Sequence, residues 1–383
     1  MTRRRGWKDN LLTCVHAEFY SCKDYGGAFL AIFISHVDIK PINTLGAWGV
    51  SVFLILSGFL MIFNYYGKER IQRYNFIGCI KFAGRKISTL YPLHMVMLIC
   101  ALPFAILSIG TKGAFVFVNS LITNIGLVQS FVPDSAIYFS LNSVAWYLSV
   151  SVVLYLCFPQ ILRFFEEKQF NKYRVLVLII VVYILQVILA LLSTRINVPN
   201  ISDNFTKWFT YIFPLYRLGD FLIGCSAGYL FILSETNTMN ERSGNWNNTI
   251  LFIILVLIIS ACIVHSKAVS SGTQTKNLWW SYSNIYAILN AGLVYFLAKQ
   301  EGLICRIISK EWIVRLGDLS GELFLIHQIV IRYFNVILKR LSISSTIVIF
   351  LRIILAFGLS VIIAVLWKAF NENFNRLKKR KVD

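Results

Sequence analysis

A histidine lies in the apolar stretch "AFLAIFISHVDIKP", where His36 follows eight uncharged residues. In a layer of low dielectric constant the neutral imidazole is favoured, and a neutral imidazole can take a proton from a hydroxyl. His36 is therefore a candidate general base. The alternative is a structural histidine that hydrogen-bonds to a neighbouring helix. Asp38 lies two positions on and points to a different side of the helix, so we do not expect a His and Asp relay.

A second set of ionisable residues lies in "FPLYRLGDFLIGCSAGYL", where Arg217 and Asp220 are spaced i, i+3. On a helix these two residues are neighbours, and Gly224 and Gly228 continue the same face. The spacing predicts an ion pair followed by small residues that permit close helix contact. The pair either lines a substrate pocket or is purely structural.

Three more residues are candidates for the pocket around His36. His327 lies in "ELFLIHQIVIRYF", Trp146 in "SVAWYLS" and Ser57 in "GAWGVSVFLILSGFLM". The small residues of the last stretch either leave room beside His36 or simply pack one helix against another. We predict a substrate pocket lined by Ser57, Trp146, Arg217, Asp220 and His327.

Two adjacent cations precede a tyrosine and proline pair in "FAGRKISTLYPLHM". Arg85 and Lys86 are cations suited to bind anionic groups such as phosphates. The alternative is the ordinary enrichment of cations at the cytoplasmic ends of membrane helices.

The composition indicates which elements must position these residues. Hydrophobic residues make up 57% of the 383 and charged residues 14%, against about 45–50% and about 25% in soluble domains. Apolar segments of about 20 residues, the length that spans a bilayer, recur along the whole chain. We predict an all-α, polytopic membrane protein with one domain over 1–383: a cytoplasmic arm (1–23), a helical core (24–367) and a basic cytoplasmic tail (368–383). The net charge of +19 then reflects membrane topology and not nucleic-acid binding.

About ten transmembrane helices are predicted, near 25–45, 47–66, 88–109, 143–162, 175–194, 208–233, 249–266, 281–298, 316–338 and 343–367. With both termini cytoplasmic, the inner loops hold 26 of the 37 Lys and Arg residues and the outer loops hold 8, which satisfies the positive-inside rule. His36 is eleven residues into the first segment, about 16 Å along a helix and close to mid-bilayer.

The stretch 113–131 is apolar, but if it crossed the membrane, the basic loops that follow it would lie on the outer side. We predict an interfacial or re-entrant element, whose backbone must be covered by protein or a water-filled cavity. The eight cysteines have no metal-like spacing and are expected to be small buried hydrophobes. No metal cofactor is expected.

Six stretches together resemble, in order, the motifs of the membrane acyltransferase 3 family of integral membrane O-acyltransferases. They are "FISHV", "GVSVFLILSGFLM", "GRKISTLYP", "LNSVAWYLSVSVVLYLCFP", "FPLYRLGDFLIG" and "ELFLIHQ". The resemblance runs from about residue 24 to about 372. It implies a ten-helix domain in the bacterial cytoplasmic membrane that transfers an acetyl group from cytoplasmic acetyl-CoA to a hydroxyl of a cell-surface or lipid-linked glycan.

The resemblance also implies roles for particular residues. His36 corresponds to the proposed catalytic base, and Arg85 and Lys86 occupy the family's basic motif, where they would bind the phosphates of the acyl-CoA donor. Trp146 also lies in one of the motifs, and its indole could stack on a sugar ring of the acceptor. The chain differs from the usual pattern at Tyr25, where relatives commonly have arginine, and at Ser151, where many have glutamate.

Two mechanisms are compatible with these residues: direct attack of the acceptor hydroxyl on the thioester, or a transient acyl-histidine. Two other functions are also open. A transporter or flippase of a glycan or lipid would show a repeated pair of broken helices, and the chain has no convincing internal repeat; a scaffold without catalysis is the other. The expected partners are acyl-CoA, the acceptor and the bilayer, and a homo-oligomer is left open.

Overall fold

The structure is a computed structural model that describes residues 23–37, 44–68, 75–196, 205–237, 244–299, 305–306, 310–340 and 346–380. Every regular element in these ranges is helical. The longer helices are α1 Lys23–Ser35, α2 Leu45–Tyr65, α3 Phe76–Ile87, α4 Tyr91–Leu107, α5 Ala114–Ile125, α6 Trp146–Lys168, α7 Lys172–Ser193, α8 Pro214–Asn237, α9 Gly244–Ser270, α10 Asn284–Ala298, α11 Glu311–Asp318, α12 Ser320–Arg340 and α13 Thr346–Arg380.

The helices establish a multi-pass membrane protein. Among the described residues, seven helices are long and apolar enough to cross a bilayer, and α3 with α4 forms an eighth candidate that is bent by 58°. Three shorter apolar helices, α1, α5 and α10, accompany them. The all-helical membrane class predicted from composition is therefore confirmed.

The first predicted span, 25–45, is wrong in its extent. Helix α1 ends at Ser35, and the backbone N–H groups of His36 and Val37 bond three residues back, to Phe33 and Ile34, which closes the helix with a tight turn. The sequence reaches Pro41 shortly afterwards, and a proline lacks the N–H that a continuing helix would need. His36 thus lies in a turn at a helix end and not within a helix.

The stretch 113–131 contains α5, which is 12 residues long, or about 18 Å. That length is too short to cross about 30 Å of hydrocarbon. A short 3₁₀ turn, Gln129–Phe131, and a helical turn, Ser135–Tyr138, follow it. This arrangement is compatible with the predicted interfacial or re-entrant element.

Helix α2 lies at the centre of the bundle, and almost all of it is buried. Its glycines face two different neighbours: Gly46 and Gly49 contact α1 at Ser35 and Ile32, whereas Gly58 contacts the backbone of α8. Of the two alternatives for these glycines, room beside His36 or helix packing, the contacts favour packing, because neighbouring helices fill the space. Small residues let the backbones approach and maximise van der Waals contact.

Helix α8 has the complementary surface. Gly224 faces the carbonyl of Ile55, and Gly228 faces Phe59 and Ile62. The small-residue face predicted from the sequence thus packs directly on α2. The outer surface, in contrast, is made of exposed apolar side chains from α7, α9 and α13, as expected for helices that face lipid.

Replacing Gly224 with alanine is expected to destabilise the protein by about 1–3 kcal/mol, because the new Cβ collides with the main chain of Ile55 and the two helices must separate. Thermal unfolding of purified protein in detergent should show a lower Tm. Gly358→Ala in α13 is the matched control, since a Cβ there meets no described atom within 4 Å. Equal Tm values for the two variants would contradict the proposed contact.

Candidate functional site

The His36 imidazole is fixed by the end of its own helix. Its Nδ1 lies 2.8 Å from the carbonyl oxygen of Ile32, which is in the last turn of α1. Carbonyls at a helix C-terminus have no partner within the helix, so the ring satisfies one of them. The adjacent Ser35 hydroxyl donates to the same carbonyl at 2.6 Å.

His327, predicted as a pocket residue, lies directly against His36. The Nε2 of His327 is 3.5 Å from the Nδ1 of His36, and the ring centroids are 5.0 Å apart at an interplanar angle of 74°. His327 is fully buried within α12, and its Nδ1 lies 3.0 Å from the carbonyl oxygen of Leu323. The structure therefore brings together two histidines that are 291 positions apart.

The hydrogen-bond partners assign the tautomer of both neutral rings. A carbonyl oxygen can only accept, so the Nδ1 of His327 and the Nδ1 of His36 each carry the proton. The Nε2 of His327 then has a lone pair facing the Nδ1–H of His36. The Nε2 of His36 is consequently unprotonated, and it has no hydrogen-bond partner among the described residues.

Aromatic rings and one arginine hold this histidine pair. Phe29 and Phe33 on α1 contact His327, with ring centroids 5.6 and 6.0 Å away. Arg352 on α13 donates from Nη2 to the carbonyl of Val37 at 3.1 Å and from Nη1 to Asn335 at 2.8 Å. The turn that contains His36 is thereby tied to α12 and α13, which sequence spacing alone did not indicate.

Arg217 and Asp220 form the ion pair predicted by their spacing, with Nη1 and Oδ2 2.8 Å apart and both side chains 0% exposed. The other carboxylate oxygen of Asp220 accepts from Gln186 Nε2 at 3.1 Å and from Ser283 Oγ at 2.7 Å. On the arginine, Nε and Nη2 make no hydrogen bond to a described residue. The pair thus joins α7, α8 and the segment before α10.

The ion pair does not contact the histidine pair among the described residues. Two rings lie between them. Tyr147, which is close to Arg217, packs against Phe324 with ring centroids 5.2 Å apart, and Phe324 packs against His327 with ring centroids 6.1 Å apart.

Trp146 is 3% exposed, and its ring centroid lies 4.9 Å from that of Tyr211. Its indole is therefore part of the core, and a sugar could stack on it only after the bundle opens.

The remaining predicted pocket residue, Ser57, is buried on α2 and interacts with the Tyr155 hydroxyl of α6. It lies eleven residues, or about 16 Å, along α2 from Gly46, which contacts α1 next to His36. Ser57 is thus distant from the histidine pair.

Arg85 and Lys86 lie at the opposite end of α2 from His36. The Lys86 ammonium sits 5.1 Å above the ring of Tyr65, the last residue of α2, and Arg85 is exposed on α3. Since Gly46 contacts Ser35 at the other end, about 28 Å of helix separates the two levels. The two cations and the histidine pair therefore belong to separate parts of the molecule.

A cavity of about 320 Å³ lies against α12, at residues that directly follow His327 in the chain. It is bounded by α4, α5, the turn over 136–143 and the α12 residues Gln328 and Arg332. Gln328 was not a predicted site residue, and Arg332 was recognised only as an ionisable residue within the predicted span 316–338, without a place in the predicted pocket. The signal available was their i, i+4 spacing on α12, which places both on one face just after His327.

Three hydrogen bonds tie the turn at this cavity to α12. Arg332 Nη1 donates to the carbonyl of Leu141, Asn142 Nδ2 donates to the carbonyl of Leu325 at 2.8 Å, and the backbone N–H of Ser143 donates to Gln328 Oε1 at 3.3 Å. Leu141 has a φ of 53°, a left-handed conformation that is unfavourable for a residue with a Cβ. The turn is therefore held in a strained geometry that aims its carbonyl at Arg332.

The turn also contains a tyrosine that remains uncharged. Burial, with smaller contributions from Asp134 and Tyr282, raises the pKa of Tyr138 to about 12. The phenol is thus protonated at neutral pH, and it adds no negative charge to the neighbourhood of the cavity.

Two positions singled out from the sequence lie outside the described residues: Asp38 and the side chain of Tyr25. Among the described residues, no group of three or more His, Cys, Asp or Glu side chains is arranged to hold a metal ion. The described cysteines, Cys79, Cys100, Cys157, Cys225, Cys262 and Cys305, are free thiols and are buried or half-buried.

Comparison with known proteins identifies the family. The sequence profile of the acyltransferase 3 family, described as an acyltransferase domain, matches residues 19–366. The chain is similar to acyltransferase MdmB of Streptomyces mycarofaciens, with 26% identity over 336 residues that cover 80% of this chain and 77% of the relative. No solved structure matches. With a family match over nearly its whole length and a multi-pass helical bundle that contains a pair of histidines in contact, the chain belongs to the acyltransferase 3 family of membrane acyltransferases.

Proposed function

We propose that this protein is a membrane O-acyltransferase that transfers an acetyl group from acetyl-CoA to a hydroxyl of a cell-surface or lipid-linked glycan, with His36 as the general base. The observation that carries the proposal is the Nε2 of His36, which is unprotonated because Nδ1–H is engaged by Ile32 and faces His327, and which has no hydrogen-bond partner among the described residues. A general base needs such an unpaired nitrogen close to the reacting hydroxyl.

In the proposed reaction, the acceptor oxygen attacks the thioester carbonyl carbon while its proton moves to the Nε2 of His36. The carbon–sulfur bond then breaks, and the coenzyme leaves as a thiolate. The proton on Nε2 returns to that sulfur, so the products are the acetyl ester and free CoA thiol. The histidine ends in the tautomer in which it began.

His327 supports the charged state of His36 in this scheme. When Nε2 takes the proton, His36 becomes an imidazolium, and both of its nitrogens are donors. The lone pair on His327 Nε2, 3.5 Å from His36 Nδ1, then faces a cation. A hydrogen bond to a charged donor contributes about 1.5–3 kcal/mol, which makes His327 a positioning residue for the base.

The donor is proposed to enter from the side of α3. Exposed Arg85 and half-buried Lys86 offer cations to its phosphates. Because about 28 Å of α2 separates this level from that of His36, contact with these cations is proposed as an entry step, after which the coenzyme moves further into the bundle to bring its thioester to the imidazole. Both termini are proposed to be cytoplasmic and the bilayer to be the bacterial plasma membrane.

His36→Gln is expected to lower kcat by about 10²–10⁴-fold, because the amide cannot accept the hydroxyl proton. The measurement is CoA thiol release by purified protein in detergent, with the acceptor present. His94→Gln is the matched control: His94 is also a buried histidine bonded to a carbonyl, that of Asn124, but it lies outside the pair. Undiminished acetylation by His36→Gln would refute the proposed base.

His327→Leu is expected to lower kcat by about 10–100-fold with little change in the KM for acyl-CoA, since only the support of the charged base is lost. His327→Gln retains an oxygen acceptor and should recover part of the loss. A purely structural role for His327 would instead lower the yield or Tm of both variants and leave the kcat of the folded fraction unaltered.

An experiment in cells identifies the acceptor. A strain lacking this protein should produce surface glycans that are lighter by one acetyl ester per modified site, measured by mass spectrometry. Expression of the wild-type chain should restore the ester, and expression of His36→Gln should not. Glycans that remain acetylated but are retained inside the cell would favour a transporter over an acyltransferase.

A further inference from the structure

The cavity beside α12 has a lining typical of a site for a polar ring. Four serines, Ser108, Ser120, Ser140 and Ser143, contribute to it, together with the amide of Gln328 and the guanidinium of Arg332. Phe104, Phe117 and Phe139 supply apolar walls. Its volume, about 320 Å³, is at the lower end for a small-molecule site, which suits one monosaccharide unit.

Arg332 gives the cavity an uncompensated positive charge. Its guanidinium lies 4.3 Å from the centre of the Phe104 ring, and Nη1 is engaged by the carbonyl of Leu141. The other two nitrogens, Nε and Nη2, make no hydrogen bond to a described residue. Among the described residues that line the cavity, none is acidic. An anionic group is the natural partner for this arginine.

The cavity is next to the proposed catalytic pair along the chain. Consecutive helix residues differ by about 100° in direction, so His327 faces His36 while Gln328 faces the cavity. The bonds from Leu141, Asn142 and Ser143 to α12 hold the cavity wall and His327 on one rigid unit. A ligand in the cavity therefore has a fixed position relative to the proposed base.

We propose that this cavity binds an anionic sugar unit of the acceptor, with Arg332 paired to its carboxylate or phosphate and Gln328 and the serines bonded to its hydroxyls. The inference rests on the proposed function, because it names the acceptor for the same histidine. The coenzyme is given no contact here, because its phosphates are proposed to meet Arg85 and Lys86 at the other end of α2.

The test measures the Tm of the purified protein in detergent with D-glucuronic acid, glucose 1-phosphate, D-glucose and, as salt controls, acetate and inorganic phosphate. The two anionic sugars are expected to raise Tm by about 2–4 °C when the site is largely filled, and the other three compounds by clearly less. A larger shift with glucuronic acid indicates an acidic polysaccharide, and a larger shift with glucose 1-phosphate indicates a phosphate-linked sugar.

Two variants connect the shift to the cavity. Arg332→Gln should abolish the preference for anionic sugars. Ala105 on α4 also lines the cavity, and Ala105→Leu, which fills the cavity without removing a polar contact, should abolish the shift with every sugar. Arg315→Gln is the control, because Arg315 is an exposed arginine paired with Glu311 on α11. Should Arg332→Gln fold poorly, Ala105→Leu still decides the result.

The proposal is overturned if no sugar raises the Tm of the wild-type chain, if glucose acts as strongly as the anionic sugars, or if the shift persists in the variants. This binding result is separate from the proposed function. His36→Gln should retain the anionic-sugar shift while losing CoA release, whereas a wild-type chain that binds the sugars but releases no CoA would refute the acyltransferase mechanism alone.

Discussion

The hydrogen bond from His36 Nδ1 to the carbonyl of Ile32 is the interaction on which the proposed chemistry depends. A helix end must find partners for its last carbonyls, and here one of those carbonyls is paired with a side chain of the following turn. The same bond determines which ring nitrogen carries the proton. A structural requirement of the helix terminus therefore leaves a basic nitrogen available.

The bundle around this bond is built by close packing of backbones and not by a cavity at the histidine. Gly46 and Gly49 bring α2 against α1, and Gly58 with Gly224 brings α2 against α8. In a bilayer, where apolar side chains gain little from leaving lipid, such contacts are a main source of helix association. The central helix thus joins the histidine turn to the helix that contains Arg217 and Asp220.

Two charged side chains of the bundle, Asp220 and Arg332, differ in whether a group of opposite charge lies beside them. This difference distinguishes a structural role from the proposed functional one. Asp220 is satisfied by Arg217, Gln186 and Ser283, as a buried carboxylate must be. Arg332 has no acidic partner among the described residues and lines a cavity. A buried carboxylate that is paired with a cation and hydrogen-bonded is typical of a structural ion pair. A cation that lines a cavity and has no anionic partner is typical of a ligand site.

Local patterns were sufficient for the membrane class, for the i, i+3 ion pair and for the small-residue face of α8, because each depends on residues close together in the chain. They failed at the end of α1, where hydropathy continued through a turn. The partnership of His36 with His327 and the cavity at Gln328 and Arg332 could not be predicted in this way. Those features join residues on different helices, and their geometry arises only when α1, α12 and the turn over 136–143 pack against one another.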